Sequence, residues 1–321
     1  MENTNRKKSN SQNQSALIGI GYWGKVHFKY LKNIKNINIK KIFYKKKLKN
    51  LKNINIKKEK FTNSIKDILT DGSIKYVDVV TPVETHAPLA IKFLKKNKNV
   101  LVEKPLIMKK NEENQIEKLA KKNKKKIIIS YPYLFSKSLL LGKKIIKNKK
   151  LGKLNFIEIT IQQCGRFMKY DINSLLAPHA ISIFSIFHKI ENFKLRSYNF
   201  IQNKSKKETV GLQCFYKNNI LGIANLSLNY ASKKNIKKIT LFCEKGTIIC
   251  DLDSKQETIS SFKYLRLNKG RYKVAKIKKY ISRKFDEKNN MKYVIEDFYF
   301  KKNNLHNFKL TKKINQFIKN V

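Results

Sequence analysis

The stretch that decides the fold runs from Tyr76 to Pro105 and reads YVDVVTPVETHAPLAIKFLKKNKNVLVEKP. The apolar residues Val77, Val79 and Val80 predict a strand that stops at Thr81-Pro82, because proline has no backbone N–H to donate. Apolar residues between Ala87 and Leu94 then recur at helical spacing, and Val100 to Val102 predicts a second strand. Strands that alternate with helices indicate a parallel sheet.

The ends of these two strands are the predicted site of chemistry. Thr81-Pro82 follows the first strand, and Glu103-Lys104-Pro105 follows the second. Open parallel sheets bind their ligands beyond the carboxyl ends of the strands. We therefore expect both turns to line a ligand site.

Length and composition indicate a globular protein of two domains. The 321 residues are 41% hydrophobic and 11% aromatic, which is enough for two cores. The net charge of +50 would suggest nucleic acid or an anionic surface, but the lysines are spread over every segment and arginine is scarce. A protein that recognises a nucleic-acid sequence would concentrate its positive charge on one surface. It would also favour arginine, whose guanidinium group can form two parallel hydrogen bonds to a base or a phosphate. We predict no specific nucleic-acid partner, and nonspecific binding to polyanions at low salt.

Cysteine spacing and the N-terminus bear on the cellular compartment. The four cysteines form no CxxC pair and have no zinc-site spacing, which predicts a reduced intracellular protein without a metal site. Residues 1–15 are polar and lack the apolar core of a signal peptide, so they are predicted to be a disordered tail. No run is long enough to span a bilayer. The expected location is cytoplasmic.

A glycine-rich turn follows the first predicted strand, Ala16 to Ile18. The sequence Gly19-Ile20-Gly21-Tyr22-Trp23-Gly24 has the form G-x-G-x-x-G and precedes a helix. In a dinucleotide site the first glycine allows a tight turn, the second lets the pyrophosphate approach, and the third lets helix and strand pack closely. Taken alone, the motif is also compatible with an ordinary βα turn. We predict that this turn binds a dinucleotide.

The next predicted strand, Ile37 to Tyr44, bears on the choice of cofactor. NAD enzymes usually place an acidic residue at its end to bind the adenosine ribose. Here the chain reads Tyr44-Lys45-Lys46-Lys47. This basic turn either holds the 2′-phosphate of NADP or is one more lysine-rich surface turn. The cofactor is therefore NAD or NADP, with Tyr44 and Lys45 as candidate binding residues.

The remaining pattern predicts an α/β fold with a domain boundary near Ser130. Residues 16–130 are expected to form a Rossmann domain on a parallel sheet, including a helix over Phe61 to Leu69. Residues 131–321 are strand-rich and end in two helical segments, which predicts a C-terminal α/β domain on an open, mainly antiparallel sheet. Its predicted strands are Phe156 to Gln162, Val210 to Tyr216, Ile220 to Asn229, Ile236 to Phe242 and Thr247 to Leu252.

Several pieces of the chain together resemble the Gfo/Idh/MocA oxidoreductases, named for glucose-fructose oxidoreductase, inositol dehydrogenase and a rhizopine-catabolism protein. The matching pieces are GIGYWG at Gly19 to Gly24, VDVVTP with the following His86, VLVEKP at Val100 to Pro105, LAPH at Leu176 to His179, and ITLFCEKGTII. They occur in the family's order and at its spacing. GYWG and LAPH also resemble the branch that acts on nucleotide-linked sugars, such as UDP-N-acetylglucosamine 3-dehydrogenases.

The resemblance implies a Rossmann domain and a second domain whose sheet covers the nicotinamide and often serves in oligomerisation. It implies hydride transfer at a carbinol carbon of a sugar or cyclitol, with NAD or NADP as cofactor. The expected partners are a sugar or nucleotide-sugar substrate and further copies of the chain.

The resemblance also implies roles for individual residues. Lys104 would polarise the reacting oxygen and assist proton transfer, and His179 would take or return the hydroxyl proton. Glu103 would lie against the nicotinamide ribose, and the bond before Pro105 would be cis. His86 would shape the cofactor site together with Thr81-Pro82. The alternatives are a solvated lysine for Lys104 and a helix-capping or core residue for His179. His27, His188 and His306 belong to no motif.

Two positions depart from the family pattern. The family usually has an aspartate four residues before the catalytic histidine and often another just after it, where this chain has Leu175 and Ala180. Asp171 lies eight residues before His179 and does not match. Either another acid substitutes, or the chain is a catalytically impaired member that binds dinucleotide or sugar.

Overall fold

The computed structural model describes residues 12–45, 57–164, 170–203, 206–217, 219–252, 257–263, 278–285, 290–301 and 305–320. The predicted tail up to residue 11, and the turn residues Lys46 and Lys47, lie outside this part. The chain divides into two compact units, each described below by itself. One contains residues 1–130 with 291–308, and the other contains residues 131–290 with 309–321.

The first unit is built on a six-stranded sheet in which every neighbouring pair is parallel. The strand order is β3-β2-β1-β4-β5-β6, which is the doubly wound Rossmann order. The strands are β1 (Asn13–Ile18), β2 (Ile37–Phe43), β3 (Phe61–Thr62), β4 (Tyr76–Val79), β5 (Asn99–Glu103) and β6 (Ile127–Ser130). The helices are α1 (Tyr22–Leu31), α2 (Ile65–Thr70), α3 (His86–Lys95) and α4 (Lys110–Lys122). The predicted fold class is confirmed.

Two predicted boundaries in this unit are wrong. The strand β1 begins at Asn13, so Asn13 to Ser15 belong to the sheet and not to a tail; the Ser15 hydroxyl is buried and donates to the Asn38 carbonyl. The helix predicted from Phe61 begins only at Ile65. Phe61 and Thr62 instead pair with the edge of β2, and the Thr62 hydroxyl accepts from the Ser64 N–H in the turn that follows.

The second unit is built on an eight-stranded sheet in the order β14-β13-β12-β11-β7-β10-β9-β8. All neighbours are antiparallel except β7 and β10, which are parallel. The strands are β7 (Leu154–Gln162), β8 (Phe193–Asn203), β9 (Lys206–Tyr216), β10 (Asn219–Ser227), β11 (Ile236–Cys243), β12 (Gly246–Asp251), β13 (Glu257–Lys263) and β14 (Lys278–Phe285). The helices are α5 (Lys137–Lys147), α6 (Ile172–Leu175) and α7 (Ala177–Phe187). The predicted antiparallel sheet is confirmed, with β8, β13 and β14 as additions.

Two helices follow, α8 (Asn290–Phe300) and α9 (Leu305–Lys319). The ring of Tyr299 stacks on that of Tyr76, with 4.7 Å between centroids. The side-chain amide of Asn307 pairs with both the N–H and the carbonyl of Ile129 in β6. Through these contacts residues 291–308 belong to the first unit, although the sequence analysis assigned them to the C-terminal domain. None of the described helices is long and apolar enough to cross a membrane.

Candidate dinucleotide and catalytic site

The glycine-rich turn joins β1 to α1 at the carboxyl edge of the parallel sheet. Gly19 has a φ of 99°, a left-handed conformation that disfavours any other residue. A Cβ on Gly19 would also lie 2.5 Å from the carbonyl oxygen of Val80. The Gly19 N–H donates to the Phe43 carbonyl at 3.0 Å, which places the turn beside the end of β2.

The other two glycines have different reasons to lack a side chain. A Cβ on Gly24 would lie 2.3 Å from the Gly19 carbonyl oxygen, so this glycine lets α1 pack directly onto the turn. Gly21 is the N-cap of α1, and a Cβ there would meet no atom within 4 Å. The first turn of α1 contains no acidic residue. An open backbone at a helix N-terminus suits a phosphate group, so the residues present fit a dinucleotide pyrophosphate.

Residues around the turn are accessible to a ligand. Tyr22 and Trp23 are 61% and 50% exposed, and their rings meet edge to face with centroids 5.4 Å apart. Tyr44 and Lys45 directly follow β2, where the Tyr44 N–H donates to Thr62 and Lys45 is exposed. The described part of the turn after β2 therefore presents a lysine side chain and no carboxylate.

The turn after β4 is tied to the turn after β5 by His86. Its two ring nitrogens lie 2.8 Å from the Thr81 carbonyl oxygen and 2.9 Å from the Pro105 carbonyl oxygen. The hydroxyls of Thr81 and Thr85 lie 2.6 Å apart in the same turn, next to Pro82. His86 is buried, and its two hydrogen bonds fix the turn after β4 against the turn after β5 at the carboxyl edge of the sheet.

Glu103, Lys104 and Pro105 follow one another at the end of β5. One carboxylate oxygen of Glu103 accepts the Lys104 backbone N–H at 3.0 Å, and the Lys104–Pro105 bond is cis, as the resemblance implies. Burial lowers the pKa of the Lys104 ammonium, while the negative charge of Glu103 opposes that shift. A lysine with a lowered pKa at a sheet edge is suited to proton transfer. The contact of Glu103 with a nicotinamide ribose stays a prediction.

A buried polar cluster lies behind these residues, and the sequence analysis missed it. His27 in α1 is fully buried between Asp78 in β4 and Glu103 in β5, at 3.5 Å and 3.0 Å. The Tyr299 hydroxyl donates to the other oxygen of Asp78 at 3.2 Å. Burial lowers the pKa of His27, but the hydrogen bonds and charges of the two carboxylates outweigh it and raise the pKa to about 9. The available signal was the charged Asp78 inside an otherwise apolar strand.

His179 lies in the second unit, at the start of α7. Its ring is partly exposed and packs edge to face on Tyr133, with 5.0 Å between centroids. Leu175 and Ala180 are both buried, so the positions of the family aspartates belong to an apolar core. Asp171 caps α6 by accepting from the Ser174 N–H.

Asn173 in α6 is a second residue that the sequence analysis missed. Its side chain is 1% exposed, and neither its amide nitrogen nor its oxygen has a hydrogen-bond partner among the residues that the structure describes. A buried amide without partners opposes folding, so it marks a place where another requirement is at work. Nothing in the local sequence distinguishes this asparagine from the many others in the chain.

The comparisons with known proteins agree with this geometry. The family profile described as "Oxidoreductase family, NAD-binding Rossmann fold" (GFO_IDH_MocA) matches residues 14–131. Residues 14–131 are therefore similar to the NAD-binding domain of that family. The fingerprint turn, the turn after β4 and the Lys104 turn all lie within the matched residues. The predicted cofactor class is confirmed, and the choice between NAD and NADP stays open.

Similar proteins extend the likeness beyond that domain. Oxidoreductase P35 of Formosa agariphila is 22% identical over 216 residues, which span 62% of this chain and 66% of that protein, just under two thirds of its length. The structure of GenD2 from gentamicin A biosynthesis, in complex with NAD, has a TM-score of 0.76 at 13% identity, over 96% of this chain and 93% of GenD2. An NAD-binding protein from Listeria innocua has a TM-score of 0.73 at 15% identity, over 96% of both chains. These structures show that a likeness in fold covers nearly the whole chain.

The described residues give no sign of a metal centre. No group of three or more His, Cys, Asp or Glu side chains within them could hold a metal ion.

Proposed function

We propose that the chain is an NAD(P)-dependent oxidoreductase acting on a carbinol group of a sugar, and that the sugar is linked to a nucleotide. The observation that carries the proposal is the ammonium of Lys104, whose pKa burial lowers, at the same sheet edge as the fingerprint turn. The resemblance of GYWG and LAPH to nucleotide-sugar dehydrogenases supports the choice of substrate.

The roles of the residues follow from their chemistry. When bound at the fingerprint turn, NAD(P) would supply the hydride donor or acceptor for the carbinol carbon. The Lys104 ammonium donates a hydrogen bond to the substrate oxygen, and in its neutral form the amine accepts the hydroxyl proton. Glu103 holds the Lys104 backbone through its N–H. His179 is the proposed second proton-transfer group, since imidazole titrates near neutral pH.

The test combines cofactor binding with turnover. NADH and NADPH are titrated separately at near-physiological salt, following quenching of Trp23, the only tryptophan, and energy transfer to the nicotinamide. Nucleotide sugars are then screened for turnover with the wild type, Lys104→Ala and Lys122→Ala, an exposed lysine in the last turn of α4. We expect Lys104→Ala to bind cofactor and to lose turnover by about 100-fold or more. Equal turnover in all three proteins would refute the assignment.

A second candidate function is a catalytically impaired member that binds dinucleotide or sugar without turnover. The buried, apolar Leu175 and Ala180 favour it, because neither can orient a proton relay. Saturable cofactor binding with no product from any nucleotide sugar would select this alternative. Product formation would exclude it.

We also propose a homo-oligomer in the cytoplasm. The resemblance supports the oligomer, and the absence of a disulfide among the four cysteines, all of which the structure describes, supports a reducing compartment. Light scattering of the purified chain would measure the mass, and a monomer at micromolar concentration would contradict the oligomer.

A further inference from the structure

The buried cluster of His27, Asp78, Glu103 and Tyr299 brings together four elements of the first unit. His27 comes from α1, Asp78 from β4, Glu103 from β5 and Tyr299 from α8. The two strands are neighbours in the sheet, so their carboxylates face one histidine from the same side. Two buried carboxylates at this spacing would repel each other without a cation between them.

Glu103 links this cluster to Lys104. Its Oε1 lies 3.0 Å from His27 Nε2, and its Oε2 accepts the Lys104 backbone N–H at 3.0 Å. The negative charge of Glu103 also acts on the Lys104 ammonium and raises its pKa against the effect of burial. The Glu103 carboxylate therefore interacts with two basic side chains: it hydrogen-bonds the His27 ring, and its charge acts on the Lys104 ammonium.

The charge of His27 affects how strongly Glu103 attracts the Lys104 ammonium. When all four groups are ionised, Asp78 and Glu103 carry two negative charges, and His27 and Lys104 carry two positive charges. A positive His27 offsets part of the attraction that Glu103 exerts on Lys104. Without that charge, Glu103 would stabilise the Lys104 ammonium more strongly, and the amine would become neutral only at higher pH.

We propose that His27 is a positioning residue for Lys104: its imidazolium holds the Glu103 carboxylate by one oxygen and limits how strongly that carboxylate retains the proton of Lys104. The significance of this device for catalysis rests on the proposed function. The cation is present at neutral pH because the pKa of His27 is raised to about 9. The charged and titratable groups that face it are Asp78 and Glu103, with Tyr299 behind Asp78 and Lys104 behind Glu103.

The test reads the protonation of Lys104 without requiring turnover. The folded protein is labelled with trace acetic anhydride at a series of pH values, since only the neutral amine reacts. After unfolding and digestion, label is quantified at Lys104 within the tryptic peptide Asn99–Lys109, NVLVEKPLIMK, which stays whole because trypsin does not cut before Pro105. The midpoint of the labelling curve gives the pKa of Lys104.

Three variants separate positioning from stability. His27→Gln removes the cation, and His27→Gln/Asp78→Asn removes one charge of each sign, so the buried charges balance again. His188→Gln is the control, because His188 lies in the second unit against Tyr216. We expect the labelling midpoint of Lys104 to rise by about one pH unit in His27→Gln, to rise by less in the double variant because Asp78→Asn also removes a negative charge, and to stay unchanged in the control. The double variant provides the measurement if His27→Gln alone does not fold.

The outcomes also distinguish this inference from the proposed function. An unchanged or lowered midpoint in the His27 variants overturns the inference, even if the protein oxidises a sugar. A raised midpoint supports it, even if no sugar is turned over. Imidazole NMR is a second check, because the protein has five histidines and the His27 signal is the one lost in its variant. A His27 titration midpoint at or below 6.5 would also overturn the inference.

Discussion

The stability of the protein should fall as the pH rises from about 6 to above 9, because His27 loses its proton over that range. The pKa of His27 is raised from 6.5 in the unfolded chain to about 9 in the folded protein. The folded state therefore binds the proton more tightly. The stabilisation that follows is fully present below pH 6.5 and is lost as the pH rises through the folded value.

The expected magnitude follows from the same two values. The difference between about 9 and 6.5, at about 1.4 kcal/mol per pH unit, gives about 3 kcal/mol of unfolding free energy. His27 is fully buried, so water does not screen its interaction with Asp78 and Glu103.

The assay is urea unfolding, followed by circular dichroism, at pH 6 and pH 9.5. Wild type, His27→Gln/Asp78→Asn and His188→Gln are compared, so that the other titrating groups cancel between proteins. We expect the wild type and His188→Gln to lose about 3 kcal/mol more than the double variant between the two pH values. An equal loss in all three proteins would refute the buried imidazolium.

Three further substitutions test other parts of the site. Gly19→Ala should destabilise the fold by about 2 kcal/mol or more, because of its φ of 99° and the 2.5 Å approach to Val80, and thermal melting would measure it. Gly21→Ala meets no neighbour and should keep the melting temperature, yet lower NADH affinity by about tenfold; unchanged binding would contradict a phosphate over this turn. Asn173→Leu removes a buried amide without partners and should stabilise the chain by about 1 kcal/mol; a loss of stability would mean that the amide is satisfied in solution.

The parallel sheet was predictable because its strands other than β3 carry a local signal. Val100 to Val102 is a continuous apolar run, and Val77, Val79 and Val80 are apolar around the single charge of Asp78, as expected for strands buried on both faces. The fingerprint turn was predictable for a similar reason, since its glycines stand at fixed spacing between a strand and a helix. Motifs of this kind depend only on residues that are close along the chain.

The elements that were missed depend on contacts between distant residues. The helix α8 was predicted as a helix, but its place in the first unit depends on contacts such as the stacking of Tyr299 on Tyr76 and the hydrogen bond of Tyr299 to Asp78. The strand β14 has the sequence KKYISRKF and lies at one edge of its sheet, where a strand with so many charges is tolerated. Because so many of its residues are charged, the sequence of β14 lacks the alternation of apolar and polar residues that would have predicted a strand.

The buried cluster could not be predicted for the same reason. His27, Asp78 and Glu103 are 51 and 25 residues apart along the chain, and they meet only because α1 packs beside β4 and β5. From the sequence alone, His27 is only a helical residue three positions after Gly24. Its two carboxylate partners come from β4 and β5, which are distant along the chain. The cluster is thus a product of the parallel topology, whereas the fingerprint is a product of the local sequence.

This difference explains why composition says so little about the site. The chain carries 72 Lys and Arg residues, and the sequence alone does not distinguish one lysine-rich turn from another. Lys104 differs from them because burial lowers its pKa and because the neighbouring Glu103 is already engaged by a buried histidine. The net charge of +50 governs how the surface meets polyanions. For Lys104 the nearest effects are burial and the charge of Glu103, and by the inference above His27 acts on Lys104 through Glu103.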